Sequence, residues 1–505
     1  MFSKLKLSHK GGKLTPADPV VTPGQPPSIR EIYHSRKHFG VNFGSCFLLE
    51  KWIYHGLFIE SEEKGGGIDC ELKVVSGLVK KYGVEETRNK FEKHWQEYVN
   101  EDDWQWLVDH NVNSIRLAIG YWNINGGAFT DGFKFEKYKA VYENSWNIIK
   151  TQFIEVANKY NISVVLDIHG VPYGANKADH SGEPGQGKFW ENQTAELQMS
   201  KAMGFIAEDF RQYENIAGIS IVNEADFTEN IKQRTKYYSA AINEIRSKDT
   251  SVPIVISDCW WTDQWVRWIQ EHQDDGRTNL SVLIDHHSYR CFDDKDTSKE
   301  PRQIIDDLPT DILTNLTNES KGVDIIIGEY SCVLDTKSWD KIGNRNRDGL
   351  VCDYGKRQCE IMQARTCGTY FWTFKFEAGN GGEWDFKTMS NKGALSIPSP
   401  IQNPPGKDEF EHNLQQAYDG HVNYWHSADP NENYQHDRFK DGFTTAWADA
   451  VEFSKFNGSR IGRKNAWKQA RLQEHIHAKG NSGFIWEWES GFDQGLAGFY
   501  AIVNN

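Results

Sequence analysis

The chain is expected to be an α/β protein: a (β/α)8 barrel followed by a mostly helical, aromatic-rich C-terminal extension packed on it. Three observations predict this. Two short apolar runs each end in a glutamate, Ile-Ala-Gly-Ile-Ser-Ile-Val-Asn223-Glu224 and Val-Asp-Ile-Ile-Ile-Gly328-Glu329. Runs of β-branched residues bounded by glycine and polar residues read as buried strands, and a carboxylate just past such a strand sits where a parallel barrel gathers its functional loops. Eight such strand-like segments alternate with amphipathic ones. The pattern then breaks near residue 396, at Pro398, Pro400, Pro404 and Pro405.

Residues 1–30 are rich in Lys, Pro, Gly and Ser and read as a flexible tail. Strands are expected at 40–42, 114–119, 163–167, 218–222, 254–257, 283–285, 325–328 and 369–372. Between them, stretches such as 101–110, 145–160, 196–213, 232–247 and 357–366 carry apolar residues at helical spacing. Alternation of strand and helix predicts a parallel sheet, and eight repeats predict closure, so the barrel occupies 31–395. Residues 396–408 form a proline-rich connection, because proline neither continues a helix nor sits in a central strand. The extension, 409–505, has helical spacing at 409–418, 438–456 and 464–479. It finishes with Phe484, Trp486, Trp488, Phe492, Phe499 and Tyr500. So many aromatics in about 100 residues gain most by burial on the neighbouring barrel, and an independent second domain is not expected.

The net charge of −14 over 505 residues argues against nucleic acid, whose phosphates call for clustered Lys and Arg. No apolar run of about 18 residues spans a membrane, and the lysine-rich start lacks the apolar core of a secretory signal. The eight cysteines (Cys46, Cys70, Cys259, Cys291, Cys332, Cys352, Cys359 and Cys367) show neither a CxxC pair nor zinc-like spacing. A reduced, cytoplasmic protein follows as the expectation, with the sequons at Asn192, Asn315, Asn318 and Asn457 unglycosylated. No metal or cofactor is expected, and the oligomeric state is left open. Aromatics make up 13% of residues, including 19 Trp. They fit sugar-stacking platforms and an aromatic-rich core equally well.

The strand ends carry the chemistry. The first ends at Asn42, and the loop after it brings Glu50 and Trp52. The second carries Arg116, either a structural partner of an interior acid or the cation that keeps a nucleophilic carboxylate ionised. The third ends in Asp167-Ile-His169, the histidine being a donor to substrate or a satisfied loop residue. The fourth gives Asn223-Glu224. The sixth gives Asp285-His286-His287-Ser-Tyr289, where adjacent histidines point to opposite faces and no further ligand completes a metal set. The seventh delivers Glu329, within reach of the Tyr289 hydroxyl, and the eighth offers Phe371-Trp372 as a platform for a sugar ring. Two carboxylates remote in sequence but both at strand ends suggest a pair that cleaves glycosidic bonds.

Eight strings occur in order over roughly residues 39–395: GVNFGSCFLLEKW (40–52), HWQEYVNEDDWQWL (94–107), VNSIRLAIGYW (112–122), LDIHGVPYGANKADHSG (166–182), GISIVNEAD (218–226), LIDHHSYRCF (283–292), IIIGEYS (325–331) and GTYFWTFKFE (368–377). Together they resemble clan-A retaining glycosidases, and within them glycoside hydrolase family 5, nearest the fungal exo-β-1,3-glucanase and β-glucosidase type. The resemblance implies that Glu224 is the acid/base and Glu329 the nucleophile. It implies that Arg116, His169, Asn223, His287, Tyr289 and Trp372 surround the cleaved sugar. Glu50 would hold the terminal glucose, and Asn176 would fall near another sugar-contacting position. The loop from Gly174 differs in composition from that of the secreted relatives, and the chain beyond about 400 lies outside the resemblance.

The expected reaction is retaining hydrolysis of a terminal β-linked glucose, from a β-glucan oligosaccharide or a small β-glucoside. The carboxyl groups should then lie about 5–5.5 Å apart. Arg116 and Tyr289 should keep Glu329 ionised, and that charge should raise Glu224 until it holds a proton. The alternatives are a non-catalytic sugar-binding protein and a scaffold whose extension recruits partners. In the enzyme, the extension's aromatics would instead shape the aglycone side of the pocket.

Overall fold

The computed structural model describes residues 13–62, 67–183, 187–273, 278–314, 323–343, 345–379 and 381–504. The sequons at Asn315 and Asn318 and the first twelve residues of the tail lie outside them. Eight strands, β1 His38–Asn42, β2 Ser114–Gly120, β3 Ser163–Gly170, β4 Ile216–Ser220, β5 Ile254–Ser257, β6 Val282–Arg290, β7 Asp324–Leu334 and β8 Gly368–Phe371, close into one barrel in sequence order. Every neighbouring pair is parallel, and β8 returns to β1 with Phe39 opposite Thr369. All eight expected strands are present. β6 and β7 run well past their expected ends, so His287, Tyr289 and Glu329 are inside the ladder, with His287 paired to Glu329.

The barrel interior has two chemistries. Val165, Ala217, Val255, Leu283, Ile326, Cys367 and Tyr370 pack together toward the N-terminal ends of the strands. Residues two apart on a strand face the same side, so one pleat further on the inward positions are Asp167, Asp285 and Gly328. The change from apolar to acidic along β3 and β6 puts charge at the C-terminal mouth. Gly328 leaves the space that Asp285 needs: a Cβ there would lie 2.0 Å from Asp285 Oδ1.

The described part of the supposed tail is not loose. The N–H groups of Ala17 and Asp18 donate to the carbonyls of Asn279 and Thr250, both 2.8 Å. Leu14, Val20 and Val21 are buried. A Pro- and Gly-rich composition signals mobility only where no apolar side chain finds a partner, and these three do. Proline and glycine here shape a strap across the bottom of the barrel.

Beyond the proline-rich connection come four helices, Lys407–Ala428, Asp437–Lys455, Lys464–Lys479 and Ile485–Val503. The last was unanticipated, because its aromatics masked a helical repeat: Trp488, Phe492, Leu496 and Phe499 recur at helical spacing. Phe439, Phe443 and Trp447 do the same on the second helix. These residues bury one another, with Phe453, Trp467, Val20, Val21, Ile32 and Ile401, in a core of their own. The expectation that the aromatics would be spent on the barrel surface is therefore corrected. The second and fourth helices run parallel and touch through glycines. An added Cβ would lie 2.0 Å from the Trp488 carbonyl oxygen at Gly442, and 2.0 Å from that of Phe439 at Gly491. Gly491→Ala is expected to lower stability by about 1–3 kcal/mol, since backbone rather than a flexible side chain must yield. Denaturant unfolding checks this.

The bundle docks on the N-terminal end of the barrel. Asp324, the first residue of β7, accepts from the N–H groups of Asn465 (3.2 Å) and Ala466 (3.3 Å). Gly462 and Arg463 donate to the Ser35 carbonyl. The extension thus sits at the opposite end from Glu224 and Glu329, and the idea that its aromatics line the aglycone side is overturned. No helix among the described residues is long and apolar enough to cross a membrane. All eight cysteines are unpaired.

Candidate active site

Arg116 is the hub. Wholly buried on β2, it donates from Nη1 to Asn42 Oδ1 (3.0 Å) and Glu329 Oε1 (3.1 Å), and from Nη2 to Asn223 Oδ1 (2.7 Å). Asp167 lies 3.2 Å and Asp285 3.4 Å from Nη2. One guanidinium therefore faces three interior carboxylates, which raise its own pKa further. Burial pushes Asp167 upward, but Arg116 and then His169 outweigh it and hold the carboxyl below its usual range. Both readings of Arg116 meet in one residue, since the structural ion pairs and the contact to Glu329 are made together.

Glu329 accepts from the Tyr289 hydroxyl at 2.8 Å. Glu224 lies four residues past the end of β4, at φ +39°, a left-handed conformation unusual for a glutamate. Asn176 Nδ2 donates to the Glu224 carbonyl oxygen at 2.9 Å. The amide expected near sugar is thus committed to the backbone of Glu224. His287 lies between the two acids, its Nδ1 2.8 Å from Glu224 Oε1 and 3.5 Å from Glu329 Oε2. One carboxylate oxygen of Glu224, one of Glu329 and a ring nitrogen of His287 all lie within 4.8 Å of one another. Such a set would also suit a cation; its imidazole, His287, has a raised pKa. Burial opposes the rise, and Glu329, Asp285 and Glu224 outweigh it. His286 points away, to Asp258 at 2.7 Å, as alternation along a strand requires.

His169 Nδ1 contacts Asp167 Oδ2 at 2.7 Å, Asn223 Nδ2 donates to its Nε2 at 3.2 Å, and its ring stacks on Trp372 at 5.5 Å. Glu50 is buried, takes a hydrogen bond from Trp52 Nε1 at 2.9 Å, and is pushed up to about 8 by burial first, with the charges of Glu329 and Glu224 adding. The structure thus brings Glu50, Arg116, His169, Asn223, Glu224, His287, Tyr289, Glu329 and Trp372 to one mouth.

His180 had no assigned role. Its Nε2 lies 3.3 Å from Glu224 Oε2 and its Nδ1 3.2 Å from His169 Nε2, completing a chain Asp167–His169–His180–Glu224. Its only sequence signal is a histidine in the loop after β3, eleven residues from His169. Trp52 and Tyr289, both named from sequence, are joined at the rim by Trp384, Phe227 and Trp261, which were missed. Trp52 and Trp384 meet at 5.2 Å and Tyr289 and Trp384 at 5.5 Å, while Phe227 and Trp261 stack at 6.2 Å beyond Glu224.

The charges differ from the expectation. Burial works to raise Glu224, yet His180, then His287 and His169, pull it down to about 2. Glu329 is raised instead, by burial and then by Glu224, with His287 and Arg116 opposing. Both directions favour the imidazole side of the Glu224–His287 pair for the transferable proton when no substrate is bound. The two acids and Arg116 are visible at strand ends in the sequence, whereas the gathering of the histidines against Glu224 is not. Without His180 the Glu224 carboxyl loses the first of the neighbours that lower it, so the pair should release its proton at higher pH. In His180→Gln the alkaline limb of the kcat/KM profile is expected to move upward, with KM little changed; a pH–rate series checks it.

Known proteins similar to this chain give its family and fold. The cellulase (glycosyl hydrolase family 5) profile matches residues 79–378, and the glucan 1,3-beta-glucosidase 3 C-terminal domain profile matches 407–503. An uncharacterized glycosyl hydrolase of Saccharomyces cerevisiae is 35% identical, covering 99% of this chain and 98% of its own length. Glucan 1,3-beta-glucosidase 3 of Schizosaccharomyces pombe is 33% identical, with 92% and 95% covered. The crystal structure of a rutinosidase from Aspergillus niger superposes with a TM-score of 0.53 at 16% identity, covering 72% of this chain and 99% of that one, a likeness of fold.

Proposed function

The chain belongs to glycosyl hydrolase family 5, and we propose that this glycoside hydrolase releases terminal β-linked glucose by double displacement with retention. Its substrates would be β-1,3-glucan oligosaccharides or small β-glucosides. The observation that carries the mechanism is the approach of the Glu224 and Glu329 oxygens to within 4.8 Å. Retaining pairs stand about 5–5.5 Å apart, whereas inverting pairs leave about 6.5–9.5 Å for a water.

In the first step Glu329 attacks the anomeric carbon. The proton held between Glu224 and His287 passes through Glu224 to the leaving oxygen, and a glycosyl ester forms on Glu329. In the second, Glu224 takes a proton from water, which attacks the ester and frees Glu329. Arg116 and Tyr289 hold the two Glu329 oxygens and steady the charge that returns on release. Asn223 would donate from its amide to a sugar hydroxyl next to the bond being broken.

The exo reading rests on Glu50. At neutral pH a carboxyl raised to about 8 is protonated and can donate to a sugar hydroxyl, and Trp52 and Trp384 stand beside it to close that end. Similarity to the glucan 1,3-beta-glucosidase 3 of Schizosaccharomyces pombe supports glucan over other glucosides. The unpaired cysteines fit a reducing compartment, which supports a cytoplasmic enzyme acting on small substrates.

The test is product analysis on laminari-oligosaccharides and an aryl β-glucoside, with the first-formed anomer read by NMR. Glucose released as the β-anomer supports the reading. Mixed oligomers would replace exo by endo action, and α-glucose would replace retention by inversion.

A further inference from the structure

The C-terminal bundle contains a second cluster of ligating groups, far from the glutamates of the barrel mouth. His421 lies on the Lys407–Ala428 helix, His436 immediately precedes the Asp437–Lys455 helix, and Glu487 is in the first turn of the Ile485–Val503 helix. His421 Nε2 lies 2.9 Å and His436 Nδ1 2.7 Å from the same oxygen, Glu487 Oε2. All three donor atoms fall within 4.8 Å of one another. We propose that His421, His436 and Glu487 are three ligands of a zinc ion, with a fourth position for water.

Glu487 has no exposed surface. Its other oxygen, Oε1, accepts the Gln435 N–H at 2.7 Å. Among the described residues its hydrogen-bond and ion-pair partners are this amide and the two imidazoles, none of them Lys or Arg. A buried carboxylate needs a cation to offset its lost hydration, and a divalent ion supplies one while using both imidazoles as neutral donors.

The donor set suits the metal. Two imidazole nitrogens and one carboxylate oxygen are zinc ligands, bound at about 2.0–2.2 Å, and three protein ligands leave one position of a tetrahedron open. Around such an ion the donors stand about 3.3 Å apart, so separations of 2.7 and 2.9 Å need only a small opening. The outer contacts are also those of a ligand set. The Gln435 amide fixes the carboxylate, Phe439 stacks on His421 at 4.2 Å and Tyr434 on His436 at 5.3 Å. The ion would tie three helices together at one end of the bundle.

The plainer account is a metal-free cluster in which the imidazoles donate to the carboxylate. Full-length protein stripped with chelator, desalted and titrated with Zn2+ separates the two. The proposal expects one zinc per chain, a rise in melting temperature on zinc addition, and d–d absorption of tetrahedral type when Co2+ is used instead. In His436→Ala, the change at the least buried ligand, stoichiometry should fall to zero while hydrolysis of an aryl β-glucoside persists and reports an intact fold. Glu487→Gln should behave alike. Absence of stoichiometric zinc in the wild type overturns the proposal. So does zinc that survives His436→Ala but is lost in His287→Gln, which would assign the metal to the barrel mouth.

Discussion

Glu329→Gln is expected to lower kcat by about 10^4-fold or more, at or beyond the upper end of what an acid/base group contributes, with the fold intact. Glutamine keeps the shape, and its carbonyl oxygen can still accept from Arg116 or Tyr289. It also removes one negative charge from a pocket in which Asp167, Asp285, Glu224 and Glu329 crowd around a single guanidinium. What it cannot do is form the glycosyl ester. Glu224→Gln should be nearly as inactive on substrates with poor leaving groups, and much less so on an activated aryl glucoside, whose departure needs no proton. Glu224→Ala opens space beside His287, and azide should restore turnover of that aryl glucoside by attacking the intermediate. The product would be a β-glucosyl azide if Glu329 is the nucleophile. Undiminished activity in either glutamine variant would remove the assignment.

The proton shared by Glu224 and His287 gives this prediction a pH dependence. His287 is raised, so it holds its proton through the neutral range and loses it only well above its ordinary value. Activity should therefore persist into mildly alkaline conditions. His287→Gln should lose that alkaline reach, because a lone Glu224 next to an ionised Glu329 no longer has an imidazole from which to draw the proton. A comparison of kcat/KM at pH 6 and pH 8.5 in the two proteins checks the sign.

Most of the eight strands were legible as short runs rich in β-branched residues and bounded by glycine or polar residues, and a barrel in sequence order needs no long-range information to close. Tyr289 and Glu329 could be paired in advance because strands six and seven are neighbours in such a barrel. Three things were not legible. His180 reaches Glu224 from a loop whose path depends on the turns through Gly174 and Gly182, both at positive φ. Asn176 lies in the same loop, and its contact to the Glu224 carbonyl reflects a backbone kink that no local pattern announces. The docking of the extension is set by Asp324, an acid at the start of β7 that accepts the N–H groups of Asn465 and Ala466 more than 140 positions away. Periodicity reports which face of an element is apolar. It does not say which end of a barrel a bundle will cover.

Arg116→Ala carries the other large expected effect, and it is one of stability as much as rate. The side chain is fully buried and is in ion-pair contact with Asp167, Asp285 and Glu329. Truncation leaves these carboxylates facing one another without their cation, and breaking a buried pair by deleting one partner costs about 3–5 kcal/mol. The sign with pH follows from Asp167, whose carboxyl Arg116 holds below its ordinary value. A depressed carboxyl stabilises the fold above its unfolded pKa and loses that contribution as pH falls through the folded one. Arg116→Ala should therefore be most destabilised near neutrality and approach the wild type in acid, where the orphaned carboxylates take up protons. Arg116→Lys separates charge from geometry. The ammonium restores a positive charge but cannot direct two donors at Glu329 and Asn42 while a third holds Asn223. Much of the stability should return, while kcat stays about 10²-fold low, the scale expected when a reacting group is misplaced by about 1 Å. Urea unfolding at pH 5 and pH 7.5, with initial rates on an aryl β-glucoside, checks both. A neutral-pH stability of Arg116→Ala equal to that of the wild type would mean that this guanidinium is not what keeps four acids in one barrel.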